Sequence, residues 1–122
     1  MMNFIKFEYL VACAMYTYNT QCITLNDLNE YRIKLEEEFK KMNINAMFLF
    51  SSKYAEECIY DNSDVFEFIC DGTAIRRKDE VSIDDLVSKY LSYMSNDDLL
   101  AVTAVNTALG EKSHTTKRTN HG

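Results

Sequence analysis

The chain has 122 residues, 47% of them hydrophobic and 26% charged, which is usual for a single globular domain. Acidic residues outnumber basic residues by 19 to 13, giving a net charge of −6. This balance disfavours unaided, non-specific binding to DNA or RNA, because such binding draws its affinity from basic residues that face phosphates. Every apolar stretch is shorter than the ~20 residues that a transmembrane helix needs, so we expect no membrane span.

The first predicted element is a helix over residues 3–18, which is apolar on most of its faces. A strand over residues 5–13 is the alternative. A helix of this kind lies either at the centre of a core or in an interface between subunits. Because its apolar surface exceeds what one small domain easily covers, we expect a homodimer formed through one of its faces. The residues of that predicted interface are Phe4, Phe7, Leu10 and Val11.

Three further helices are predicted from the residues at which they begin. Thr24, Ser82 and Ser95 each precede an acidic residue by three positions. The hydroxyl of such a residue accepts a hydrogen bond from a free main-chain N–H, and the acid favours the positive end of the helix dipole. Apolar residues then recur at helical spacing after each cap. Gly110 is predicted to end the last helix in the left-handed conformation.

The middle of the chain carries the strand signals. Residues 44–50 form a short apolar run that predicts a buried strand, whereas residues 51–60 fit either a helical turn or a further strand. The segments 65–70 and 73–77 flank the pair Asp71-Gly72, which is typical of a type I′ hairpin turn. The sequence therefore predicts at least three short strands between the second and third helices.

The hairpin turn also predicts which residues of its two strands lie opposite each other. Counting outward from Asp71-Gly72 places Phe68 opposite Ile75, and Glu67 opposite Arg76. One of these pairs is apolar and the next is opposite in charge, as expected for a ribbon with one buried face.

These elements together predict an α+β fold, with about four helices packed on one side of a small antiparallel sheet or hairpin. Residues 1–110 are expected to form a single globular domain. Residues 111–122 are polar, carry Lys112, Lys117 and Arg118, and are predicted to form a flexible, basic tail.

The cysteines favour a reduced, cytoplasmic protein. No two of the four cysteines form a C-x-x-C pair that would suggest a zinc site. They are Cys13, Cys22, Cys58 and Cys70.

The segment 10–13 resembles a lipoprotein or leader cleavage site, but Lys6 and Glu8 interrupt the apolar region that should precede it. We therefore expect no processing, no disulfides, and cysteines that are mostly buried.

The sequence lacks the side chains that most catalytic sites need. Both histidines, His114 and His121, lie in the predicted tail, and no phosphate-binding glycine-rich loop is present. A hydrolase or nuclease could be built on the carboxylate pairs 84–85 and 97–98, but acids in the first turn of a helix explain both pairs more simply. We expect no catalytic residues, no metal site and no cofactor.

The acidic surplus suggests binding to another protein. Acidic residues cluster at helix starts and in loops, and such a surface complements basic grooves that normally hold nucleic acid. The profile resembles, in type but not in sequence, the small acidic inhibitors of phages and mobile elements, including many anti-CRISPR proteins. The abundance of Asn, Lys, Ile and Tyr, typical of AT-rich codons, fits that setting. The predicted binding residues are Glu56, Glu57, Asp61, Asp64, Asp84, Asp85, Asp97 and Asp98.

A winged-helix DNA-binding regulator is the alternative function. The order of two helices followed by a hairpin fits that motif, and the hairpin would serve as the wing through Arg76, Arg77 and Lys78. The acids at 79 and 80 directly follow this triplet and offset much of its charge.

Overall fold

The computed structural model describes the main chain of residues 2–121 and the side chains of residues 2–110. Its fold is α+β, as predicted, with five helices rather than four. In chain order the elements are β1 (Met2–Ile5), α1 (Phe7–Tyr18), β2 (Cys22–Thr24), α2 (Leu25–Lys41), β3 (Asn45–Phe48), α3 (Ser52–Asp61), β4 (Phe66–Ile69), β5 (Ala74–Arg77), α4 (Ile83–Lys89) and α5 (Asn96–His121). A short 3₁₀ turn at Leu91–Tyr93 lies between α4 and α5.

The N-terminal helix begins later than predicted. Residues Met2–Ile5 form the strand β1, and α1 begins only at Phe7. The strand pairs in parallel with β3, so that Ile5 lies opposite Phe48. This pairing joins segments more than 40 residues apart, and helical periodicity within a local window cannot reveal it. The predicted helix over residues 3–18 was therefore wrong at its first turn and correct over the rest.

The strands form two separate sheets. The parallel pair β1–β3 is one, and the antiparallel sheet β2–β5–β4 is the other. Only the antiparallel sheet was predicted, and its edge strand β2 was not. β2 has three residues and is recognisable only by its pairing, in which Ile23 lies opposite Ile75. A strand this short carries too little alternation to be predicted from sequence.

The β4–β5 hairpin follows its prediction closely. Phe68 lies opposite Ile75 and Glu67 lies opposite Arg76. At the turn, Thr73 N–H donates to the carbonyl of Cys70 at 3.1 Å. The two residues between them have the positive φ values of a type I′ turn, +55° at Asp71 and +83° at Gly72. Cys70 also has a positive φ, +53°, and the ladder ends at the Ile69–Ala74 pair, one pair earlier than the predicted two-residue loop implies.

The ambiguous segment 51–60 is helical. The Ser51 hydroxyl accepts a hydrogen bond from Tyr54 N–H at 3.3 Å and caps α3. Its apolar residues Ala55, Cys58 and Ile59 are buried, and their spacing places them on one helical face. The opposite face of α3 is therefore turned to solvent.

The core is built around α1. This helix packs against α2, α3, α4 and α5. Phe7, Leu10 and Val11 are at most 1% exposed within the single chain, so they are not available to a second copy. The homodimer interface predicted through these three residues is wrong. The four surrounding helices cover apolar surface of α1 that we did not expect one small domain to cover. Phe4 belongs to β1 and is 60% exposed.

The last helix does not end at Gly110. The helix α5 is continuous across this residue, and Gly72 is the glycine with a positive φ among those described. A glycine inside a helix costs about 1 kcal/mol relative to alanine, which the flanking turns of a long helix can offset. The side chains of residues 111–122 lie outside the described part of the chain, so the predicted flexible tail stays a prediction.

Helix capping agrees with the sequence at all three predicted sites. Asp27, Asp85 and Asp98 each donate their main-chain N–H to the hydroxyl three residues earlier, at 3.0–3.2 Å. At α4 the cap is reciprocal, because the Asp85 carboxylate also accepts from Ser82 N–H at 2.9 Å.

We expect Ser82→Ala to lower the free energy of unfolding by about 1 kcal/mol, because the free N–H of Asp85 loses its acceptor. Chemical denaturation measures this loss. Ser88→Ala, which changes an exposed serine within the same helix, is the control and should leave the stability unchanged or raise it by a few tenths of a kcal/mol, because alanine favours the helix. Equal losses in both variants would contradict a role for the cap.

Candidate functional site

Four of the predicted binding acids have a structural explanation in the helices that they begin. Asp84 and Asp85 lie in the first turn of α4, and Asp97 and Asp98 in the first turn of α5, where acids are favoured by the helix dipole. Asp85 completes a capping box, and Asp98 accepts from the side chain of Asn3 at 3.1 Å. The helix dipole and these contacts explain why the four positions are acidic, and no binding partner is needed to explain them.

Asp64 is also satisfied within the chain. It forms an ion pair with Lys89 at the end of α4, and the hydrogen bond from Lys89 holds the pKa of the Asp64 carboxyl below its ordinary value. The pair joins the loop after α3 to α4. It is largely exposed, so we assign it a small part in stability.

The remaining three predicted acids lie together on the solvent side of α3. Glu56, Glu57 and Asp61 line one shallow surface depression with Tyr60 between them. Tyr60 is 80% exposed. The spacings 56–60, 57–60 and 57–61 are three or four residues, which places these side chains on adjoining turns of one helix face. We call Glu56, Glu57, Tyr60 and Asp61 the α3 acidic face.

Helix stability does not explain the α3 acidic face. Glu57 and Asp61 are like charges four residues apart, an arrangement that destabilises a helix by a few tenths of a kcal/mol. Asp61 is the last residue of α3, where the helix dipole also disfavours an acid. Within residues 2–110, none of the three carboxylates has a basic group within ion-pair distance. No ion pair among these residues therefore offsets the repulsion between the carboxylates of α3.

The basic triplet of the hairpin is largely occupied by contacts inside the chain. Arg76 forms ion pairs with Glu67 at 2.6 Å and with Asp79 at 3.0 Å, and the hydrogen bond to Glu67 raises the pKa of the guanidinium. Arg77 donates to the main-chain carbonyl of Val81. Lys78 is half-buried. Arginines held in this way are poorly placed to contact phosphates, so the geometry gives the winged-helix alternative no support.

A polar cluster that sequence reasoning missed joins α1, α3 and α4. The side chain of Asn62 donates to the Glu8 carboxylate at 3.2 Å and accepts from the Tyr90 hydroxyl at 2.7 Å. The Cys58 thiol lies beside it, and burial raises the pKa of this thiol to about 11. A thiol that stays protonated near neutral pH is a poor nucleophile, so the cluster ties helices together rather than supplying catalytic groups. No local pattern could have linked residues so far apart in sequence.

The part of the chain that the structure describes contains neither a metal-binding cluster nor a membrane-spanning helix. Within it, no three His, Cys, Asp or Glu side chains are grouped closely enough to bind a metal ion. None of its helices combines the length and apolar character needed to cross a bilayer. All four cysteines are free. Cys13 and Cys58 are buried, but Cys22 and Cys70 are exposed, so the prediction of mostly buried cysteines holds for only two of the four.

The α3 acidic face is therefore a feature of the described surface that folding leaves unexplained. Comparison with known proteins adds no further indication of its role, because no protein-family model, no curated protein and no solved structure matches the chain.

Proposed function

We propose that this chain is a non-catalytic protein-binding protein, and that the α3 acidic face is the centre of its contact surface. The observation that carries the proposal is an exposed tyrosine surrounded by three carboxylates that have no internal partner among the described residues. Tyrosine is enriched among the residues that contribute most to binding energy, because it buries a large, rigid ring and keeps a hydroxyl for hydrogen bonding.

The chemistry of the surface favours a basic partner. Carboxylates on adjoining helical turns repel each other in the free chain, and a Lys or Arg from a partner would relieve that repulsion. The net charge of −6 adds long-range attraction toward a positively charged protein and speeds the encounter. A groove that normally holds nucleic acid presents basic groups of this kind, and the α3 acidic face would occupy it as a substitute for phosphates.

The setting we propose is a phage or other mobile element, with the protein acting in the cytoplasm as an inhibitor or regulator of host nucleic-acid machinery. Small size, acidic charge and AT-rich residue usage support this setting. The proposal resembles the role of anti-CRISPR proteins in type, and it names no particular partner.

The proposal is tested by charge-neutral substitutions on α3. We expect Glu57→Gln with Asp61→Asn to weaken partner binding about tenfold or more at low salt, because two carboxylates that face the partner are removed. The free energy of unfolding should stay the same or rise by a few tenths of a kcal/mol, since the repulsion within α3 disappears. Partners are captured from host lysate and identified by mass spectrometry, and affinity is then measured with the purified partner over a range of salt concentrations.

The matched control removes the same charge elsewhere. Asp84→Asn with Asp97→Asn neutralises two exposed first-turn acids and should leave the affinity nearly unchanged. If the control lost binding while the α3 variant kept it, the contact surface would lie at the helix starts instead. Salt-sensitive retention of the chain on duplex DNA, without a protein partner, would overturn the proposal in favour of direct DNA binding.

A further inference from the structure

The outer edge of β1 presents unpaired main-chain groups. The Ile5 carbonyl accepts from Leu49 N–H at 3.2 Å, so the main-chain groups of Ile5 point toward β3. In a strand these groups alternate between the two edges, and those of Phe4 and Met2 therefore point the other way. Within residues 2–110, no main-chain hydrogen bond outside the β1–β3 ladder reaches Met2 or Phe4.

Apolar side chains are exposed on one face of the β1–β3 pair. Phe4 is 60% exposed, Met2 41% and Met47 46%, and Phe4 lies opposite Met47 in the β1–β3 register. Natural edge strands are usually protected by Lys, Pro or a bulge, and parallel sheets are usually covered on both faces. The sequence of β1, Met-Asn-Phe-Ile, contains neither Lys nor Pro, so the shortness of the strand is the one protective feature among its own residues. The edge therefore offers both main-chain pairing and apolar contact.

We propose that the outer edge of β1 binds a second copy of the chain, with the two β1 strands antiparallel across a two-fold axis. Such a contact is self-complementary, because Met2 of each copy lies opposite Phe4 of the other and each supplies both donor and acceptor. The two pairs of strands then form one sheet of order β3–β1–β1–β3. Its outer face joins Met2, Phe4 and Met47 of both copies into one apolar surface.

The size and charge of this contact determine its strength. A stable interface buries ~800 Å² per partner, more than a strand of four residues with two exposed apolar side chains supplies. We therefore expect a weak dimer, with a Kd on the order of 100 µM. Each copy carries a net charge of −6, so added salt should strengthen the dimer by screening repulsion. The expected salt effect is opposite to that at the α3 acidic face, and the two proposals stand independently.

Sedimentation analysis of the full chain from about 10 µM to about 1 mM tests the proposal. The average mass should rise from 14.2 kDa toward twice that value. Phe4→Pro removes an N–H that faces the open edge and leaves the ladder to β3 intact, so it should weaken association at least tenfold. Phe4→Thr keeps this N–H and should associate more tightly than Phe4→Pro. A wild-type mass that stays at 14.2 kDa throughout, or undiminished association of Phe4→Pro, would overturn the dimer.

A measurement on the wild-type chain covers the case in which Phe4→Pro fails to fold. Exchange of the Phe4 amide hydrogen should slow severalfold as concentration rises across this range, because the dimer gives it an acceptor. The Asn3 amide points toward β3 and is the internal control, with exchange that should not depend on concentration. Phe4 exchange that is equally independent of concentration would exclude the strand pairing.

Discussion

Replacing Leu10 with aspartate is expected to unfold the chain rather than to yield a folded monomer. Leu10 is 1% exposed on α1, which is surrounded by four other helices. Loss of a buried leucine alone costs about 2–5 kcal/mol, and burying an unpaired carboxylate adds several more. That total is comparable to the ~5–15 kcal/mol by which a domain of this kind is stable. Circular dichroism and thermal unfolding measure the outcome.

The matched variant for Leu10→Asp is Phe4→Asp, which introduces the same side chain at a position that is 60% exposed. It should keep the helical spectrum and a cooperative thermal transition. A folded Leu10→Asp chain would contradict the burial of α1 within one protomer. It would instead restore the interpretation of this helix as an interface between subunits.

The four cysteines are expected to divide into two pairs that differ in thiol reactivity by more than about a hundredfold. Cys22 and Cys70 are exposed and should react quickly with a disulfide reagent. Cys13 is fully buried with its thiol 3.5 Å from the Met94 sulfur, and burial raises its pKa to about 12. Cys58, with a pKa raised to about 11, should be similarly slow, because reaction requires both opening of the core and loss of a tightly held proton.

Timed labelling with mass spectrometry gives the rate at each cysteine. Denaturant should abolish the difference, so that all four thiols react together. In Cys22→Ser, a single fast thiol should remain. Fast labelling of Cys58 in the native chain would contradict the packing of α3 against α1, because that contact covers the thiol.

The structure was predictable where neighbouring residues determine it by themselves. Asp71-Gly72 adopts positive φ values with little strain, and this alone fixed the hairpin turn and its register down to the Glu67–Arg76 pair. The hydroxyl caps at Thr24, Ser82 and Ser95 were predictable for the same reason, because each cap joins residues only three positions apart. By contrast, β1 and β2 exist only through pairing with strands that are distant in sequence, and their own residues carry no sufficient signal.

The candidate site was only partly predictable for a related reason. The sequence identified eight acidic residues but could not separate acids that stabilise their own helix from acids that do not. That separation required the bounds of α3, which showed that Asp61 ends a helix rather than beginning one. Segment 51–60 was ambiguous in sequence, because its short apolar pattern fits two periods.

The central place of α1 has a consequence for how the protein is made. Ribosomes synthesise α1 before the helices that cover it, and three of these, α3, α4 and α5, are made only after α2. Asn3 likewise meets its acceptor, Asp98, across 95 positions of chain. The emerging polypeptide therefore holds its most apolar helix only partly covered until α3, α4 and α5 have been made, a state in which nascent chains aggregate or engage chaperones. A premature stop before α5 would leave the side of α1 that faces α5 permanently uncovered, so truncated products should be insoluble or rapidly degraded.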